Sequence, residues 1–207
     1  MPILRAFPTS IYQSRILPAA KTKELNQSLI AEIEDLSSLD EAGLKWSKQN
    51  YKNGFTSYAS ANELQRFFPA FSDLEKQIDS HVKKFVKELD FDLGGRPLKM
   101  TNCWANVMET NTHHGMHLHP LSVISGTYYV KVPKGSSCLK FEDPRLSRFM
   151  GAPPRKEKCK PANRMFVEIP AQAGNLVLFE SWLRHEVPMQ AGKEARISVS
   201  FNYGWGD

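Results

Sequence analysis

The chain has 207 residues, 41% of them hydrophobic and 24% charged, the length and balance of a single globular domain rather than of a fibrous or disordered polypeptide. Its 27 Lys and Arg against 22 Asp and Glu leave a net charge of +5, scattered except for the denser "RKEKCK" at 155–160; without a basic stripe interleaved with aromatics, no nucleic-acid partner is expected. Three cysteines (Cys103, Cys138, Cys159), odd in number and without CxxC spacing, exclude a disulfide framework or a zinc knuckle and suit a reducing cytoplasm.

The N-terminal "MPILRAFPTSIYQSRILPAA" lacks the apolar run of a signal peptide, and no later segment approaches a membrane span. Within it "FPTSIYQSRI", aromatic and β-branched between prolines, predicts a strand. From Lys21 the period changes: Leu25, Leu29, Ile30, Ile33 and Leu36 share one helical face, which ends in the polar "SSLDEAG". A second helix carries Phe71, Leu74, Ile78, Val82, Phe85 and Leu89 at spacings of three and four, with Asp73 early, where the dipole favours an anion. "LGG" at 93–95 stops it. After Gly95 the apolar runs become short and β-branched or aromatic, predicting strands at 98–108, 125–132, 137–143, 164–169, 174–181 and 195–205, the pattern of a barrel or jelly roll. Between them 144–163 is a long loop rich in proline and charge, of the kind that covers a site or sets specificity. The expected organisation is one α+β domain over 1–207, with a supporting strand and helices at 1–95 and a β core at 96–207.

Four of the six histidines fall in "HHGMHLH" at 113–119. A cluster of solvated histidines and a metal site both account for such a stretch taken alone. Gly115 and Pro120 bracket an extended piece in which residues two apart face the same way, so His117 and His119 can aim at one point. His113 and His114, being adjacent, are expected to split to opposite sides. The only later histidine, His185, ends the apolar run "GNLVLFESWLRH". Eleven residues on, Arg196 opens "RISVSFNY", in which Arg196, Ser198, Ser200 and Asn202 share one strand face and Ile197, Val199, Phe201 and Tyr203 the other. Arginine and serine at alternate positions suit a small carboxylate.

The ordered set H-x-[D/H] … H-x10-R-x-S resembles the non-haem iron, 2-oxoglutarate-dependent oxygenases. More narrowly, "HLHPLSVISGTYYV", "GNLVLFESWLRHEV" and "RISVSFNYGW" resemble a group of bacterial and phage proteins within that superfamily. The resemblance implies a cupin-like double-stranded β-helix with the N-terminal helices packed on its major sheet, and Fe(II), 2-oxoglutarate and O2 as cofactor and cosubstrates. It implies iron ligands at His117 and His185, and Arg196 on the distal carboxylate of 2-oxoglutarate with help from Ser198. Asn106 and Tyr129 are further candidates for cosubstrate contacts, each with a structural role as the alternative. His119 stands where most relatives carry Asp or Glu, so the expected centre has three histidines, unless Glu142 or Asp143 in "FEDP" reaches the metal. Trp104, Trp182 and Tyr128 or Tyr129 are candidates for the cavity wall.

The implied activity is hydroxylation of an organic substrate, a small molecule or peptide, with release of succinate and CO2. Two rivals remain open at this level: a cupin-like three-histidine dioxygenase that does not use 2-oxoglutarate, and a noncatalytic metal-binding protein. A cytoplasmic protein without membrane attachment is expected. Oligomeric state is open, a homodimer being one option.

Overall fold

The computed structural model describes residues 3, 4 and 6–206. Its elements in chain order are β1 (Ile11–Arg15), α1 (Ala19–Leu39), α2 (Glu41–Asn50), β2 (Gly54–Thr56), α3 (Pro69–Glu88), β3 (Leu98–Met108), β4 (His114–His117), β5 (Ile124–Lys131), β6 (Leu139–Glu142), β7 (Phe166–Ile169), β8 (Asn175–Glu180), β9 (His185–Val187) and β10 (Arg196–Trp205). They form a six-stranded sheet, ordered β1-β8-β5-β10-β3-β2, and a four-stranded sheet, ordered β4-β9-β6-β7. Every strand pairing within the two sheets is antiparallel. Among the described residues no helix is long and apolar enough to cross a membrane.

Two apolar layers hold the sheets in place. On the outer layer Leu29 and Ile33 of α1 and Phe71, Leu74, Ile78, Val82 and Phe85 of α3 are buried against Val130, Leu176, Val199 and Phe201 of the major sheet. Glu32 of α1 accepts a hydrogen bond from the Ala70 amide (3.0 Å), satisfying an otherwise unpaired N–H in the first turn of α3. Between the sheets lies the second layer, where Tyr129, Val177 and Phe179 meet Leu139, Phe141, Ile169 and Val187. β5 and β8 are therefore covered on both faces: β5 is buried over 124–130, and β8 carries the unbroken apolar run 176–179. Gly126 of β5 is required by packing: a Cβ there would lie 2.5 Å from the Phe201 ring and 2.7 Å from the Val177 carbonyl oxygen.

β10 is the strand on which the site depends. Its outward residues Ile197, Val199, Phe201 and Tyr203 join the helix-facing core. Its alternate residues Arg196, Ser198 and Asn202 are buried as well, although polar, and so point into the gap between the sheets. The reading of net charge as scattered needs correction. Seven of the 27 basic residues and one acidic residue, Glu157, fall between Pro144 and Met165, so the excess of positive charge sits on the exposed β6–β7 connection.

Candidate metal centre

His117 ends β4 and pairs directly with His185, which begins β9; Phe141 of β6 faces His185 from the other side. His119 lies two residues past β4, where its main-chain N–H donates to the Ser181 carbonyl oxygen (3.0 Å). One ring nitrogen from each of His117, His119 and His185 comes within 4.8 Å of the other two. Some point then lies within about 2.8 Å of all three, so the rings would draw in by less than about 1 Å to reach the ~2.0–2.1 Å of a metal–imidazole bond.

Hydrogen bonds decide which nitrogen each ring presents. Nδ1 of His117 lies 2.7 Å from the Gly115 carbonyl oxygen, Nδ1 of His185 is 2.9 Å from that of Leu183, and Nδ1 of His119 is 2.5 Å from Asn202 Oδ1. Each acceptor fixes the proton on Nδ1 and leaves the Nε2 lone pair free to ligate. Burial, and then proximity to His117, push His185 down to about 3. Burial lowers His119 to about 4, against the raising effect of its bond to Asn202, and burial also lowers His117. All three rings are neutral near pH 7, as metal ligation requires.

The cavity floored by these rings extends to Arg196. That side chain is 2% exposed, and among the described residues no carboxylate lies within ion-pairing distance of it. Its guanidinium sits 4.9 Å over the Tyr129 ring and 2.7 Å from Met108 Sδ, a weak acceptor, and Nε has no hydrogen-bond partner. The buried hydroxyls of Tyr129 and Tyr51 also lack partners. A buried cation beside orphaned donors is costly unless an anion completes the set. Ser198 lies in one transverse row with Asn106 of β3 and Tyr129 of β5, so these three candidates share a level of the barrel. Asn106 is already engaged: its Oδ1 accepts from Thr56 Oγ1 (2.9 Å) and its Nδ2 donates to Ser200 Oγ (3.1 Å).

The structure also places the remaining candidates. Glu142 accepts from Arg184 (2.7 Å) and Asp143 from Arg145 (2.8 Å), and neither belongs to the candidate histidine group. His113 and His114 split to opposite sides, with His114 on the cavity side. A register shift in β4 between His114 and His117 stacks their rings 4.7 Å apart, and His114 lines the cavity beside Tyr51, while His113 is exposed. Trp104 lines the cavity, 5.8 Å from the His119 ring; Tyr128 faces the helices, donating to Asn26 Oδ1 (2.7 Å), and Trp182 is 46% exposed. Sequence reasoning missed Tyr51, His114 and the role of Asn202; only Asn202 left a signal, as the last inward residue of β10.

Two antiparallel sheets folded over a histidine-floored cavity define a double-stranded β-helix with a metal-ligating mouth. Residues 102–202 match the family described as "Putative 2OG-Fe(II) oxygenase". This stretch carries His117, His119, His185 and Arg196, so the region similar to that family coincides with the candidate centre. Solved structures of similar fold include the non-haem α-ketoglutarate-dependent epimerase SnoN from nogalamycin biosynthesis (15% identity, TM-score 0.66, covering 95% of this chain and 76% of SnoN). HygX from Streptomyces hygroscopicus, solved with nickel and 2-oxoglutarate, is another (12% identity, TM-score 0.62, 95% and 83%). A Pseudomonas putida prolyl-4-hydroxylase aligns over nearly all of both chains (15% identity, TM-score 0.61, 96% and 94%). At these identities the likeness is one of fold. No curated protein matches the sequence.

Proposed function

We propose that the protein hydroxylates an organic substrate with Fe(II) held by Nε2 of His117, His119 and His185, and with 2-oxoglutarate reaching from the metal to Arg196. The observation that carries this reading is the pairing, within one cavity, of three Nδ1-anchored imidazoles with a buried arginine that lacks an acidic partner. Bound Fe(II) and 2-oxoglutarate would supply the oxidising power: R–H, 2-oxoglutarate and O2 give R–OH, succinate and CO2, one oxygen atom entering each of alcohol and succinate. The chain's own residues do the rest. Arg196 offers its guanidinium fork to the distal carboxylate, Ser198 and Tyr129 supply further donors, and Asn106 braces Ser200 on the adjoining strand. Phe179, Phe141 and Trp104 pack around the imidazoles and keep water from the ligands. HygX, whose structure holds nickel and 2-oxoglutarate, supports the same pairing in a related fold. The three free cysteines fit a reducing, cytoplasmic setting, with a small molecule or peptide as substrate.

The all-histidine ligand set favours a second reading, a cupin-like dioxygenase that dispenses with 2-oxoglutarate. Anaerobic absorption spectroscopy of the Fe(II) protein separates the two. The proposal predicts a metal-to-ligand charge-transfer band on addition of 2-oxoglutarate. A spectrum unchanged at saturating keto acid, with iron still bound, supports the rival.

A further inference from the structure

We infer that Asn202, in contact with Ser125 and through it with Ser181, is the positioning residue that makes His119 a ligand. The inference rests on the three-histidine reading of the metal centre.

The three rings are not anchored alike. His117 and His185 each donate from Nδ1 to the carbonyl two residues earlier in their own segment, an arrangement that needs nothing from elsewhere in the fold. His119 has its acceptor 83 residues away, in Asn202 Oδ1. A register irregularity sits at this point of β10, where Asn202 faces Asn102 but Tyr203 faces Met100, so β3 carries Thr101 as an extra residue. Such bulges re-aim side chains. The same Oδ1 accepts from Ser125 Oγ (2.8 Å), and Ser125 Oγ lies 2.7 Å from Ser181 Oγ.

Proton counting orders this relay. Ser125 has one hydroxyl proton and directs it at Asn202, so Ser181 must donate to Ser125. In this arrangement the amide presents its oxygen to both Ser125 and His119. Were it reversed, an N–H would face Nδ1, the ring proton would move to Nε2, and the lone pair aimed at the metal would be lost. The amide orientation thus decides whether His119 ligates.

The test begins with metal-free protein, where long-range 1H–15N spectra report histidine tautomers. The native chain is expected to show His119 protonated on Nδ1, and Asn202→Leu to lose that signature at His119 while His117 and His185 keep theirs. Calorimetric titration with Ni(II) is expected to show affinity about 10–100-fold lower in Asn202→Leu, and near native in Asn202→Asp, whose carboxylate still accepts from Nδ1. Should Asn202→Leu fail to fold, Ser125→Ala gives the smaller loss in the same direction. An unchanged tautomer in Asn202→Leu, or Ni(II) affinity in that variant equal to the native chain's, overturns the inference. A native chain that binds no divalent metal while its tautomers are as described sinks the metal-centre reading instead.

Discussion

Arg196→Met is the perturbation whose consequences the structure constrains most tightly, because it should move two observables in opposite directions. With 2-oxoglutarate present, the guanidinium gains a partner; removing one side of a buried, hydrogen-bonded charge pair costs about 2–5 kcal/mol. At roughly 1.4 kcal/mol per decade, the dissociation constant for 2-oxoglutarate should rise about 30-fold to several thousand-fold. Without the cosubstrate the same guanidinium is a liability: it is 2% exposed, has no acidic partner among the described residues, and leaves Nε unpaired. An unsatisfied buried donor costs about 1–3 kcal/mol, and unbranched methionine follows the arginine stem into the same space. At about 2–4 °C per kcal/mol for a chain of this size, the variant without cosubstrate should melt several degrees higher. Calorimetry with 2-oxoglutarate on the anaerobic metal-loaded protein, and thermal unfolding without it, measure the pair. Undiminished keto-acid affinity together with a lower melting temperature would make Arg196 a structural residue and refute the reasoning.

Other consequences are separately measurable. Glu142→Gln and Asp143→Asn should leave metal affinity within about twofold, since both carboxylates are engaged by arginines and neither joins the histidine group; a tenfold loss by titration would return a carboxylate to the ligand set. Metal-free protein should lose stability as pH falls below about 6.5 towards 3–4. Burial, followed by its histidine neighbours, holds His114 and His185 near 3, and burial holds His119 near 4, so the unfolded chain takes up protons that the folded one refuses. Denaturant midpoints that stay flat from pH 7 to 4.5 would contradict this. Gly126→Ala should destabilise by about 1–3 kcal/mol, because the added methyl meets the Phe201 ring and a carbonyl oxygen that cannot swing away. A denaturation curve unchanged in midpoint would show that β5 has room to yield.

Long periodic elements were legible in the chain and short ones were not. The face of α3 follows directly from Phe71 to Phe85, and the two-residue alternation of 196–203 correctly divides a helix-facing row from a polar row between the sheets. α2 is hidden because Asp40 both ends α1 and caps α2, accepting from the Gly43 amide (2.8 Å), and because Leu44 and Trp46 leave no buried stripe. β4 and β9 are four and three residues long, too short to show a period, yet they carry His117 and His185. The pair His117 and His119 could be read from spacing in extended backbone. His114 could not, since the irregularity in β4 that returns it to the cavity depends on its pairing with β9. Tyr51 arrives from the helical half, and a lone tyrosine at a helix end carries no pattern. Glu142 and Asp143 were ambiguous because acidic residues before a proline suit a turn, an ion pair or a metal equally well; their arginines are nearby only in the folded chain.

The number of imidazoles on the iron is the quantity on which the account turns. X-ray absorption of the anaerobic Fe(II) protein should return a first shell with three histidine nitrogens, falling to two in His119→Ala. A native spectrum with two imidazoles and a carboxylate, or one untouched by that substitution, would contradict it.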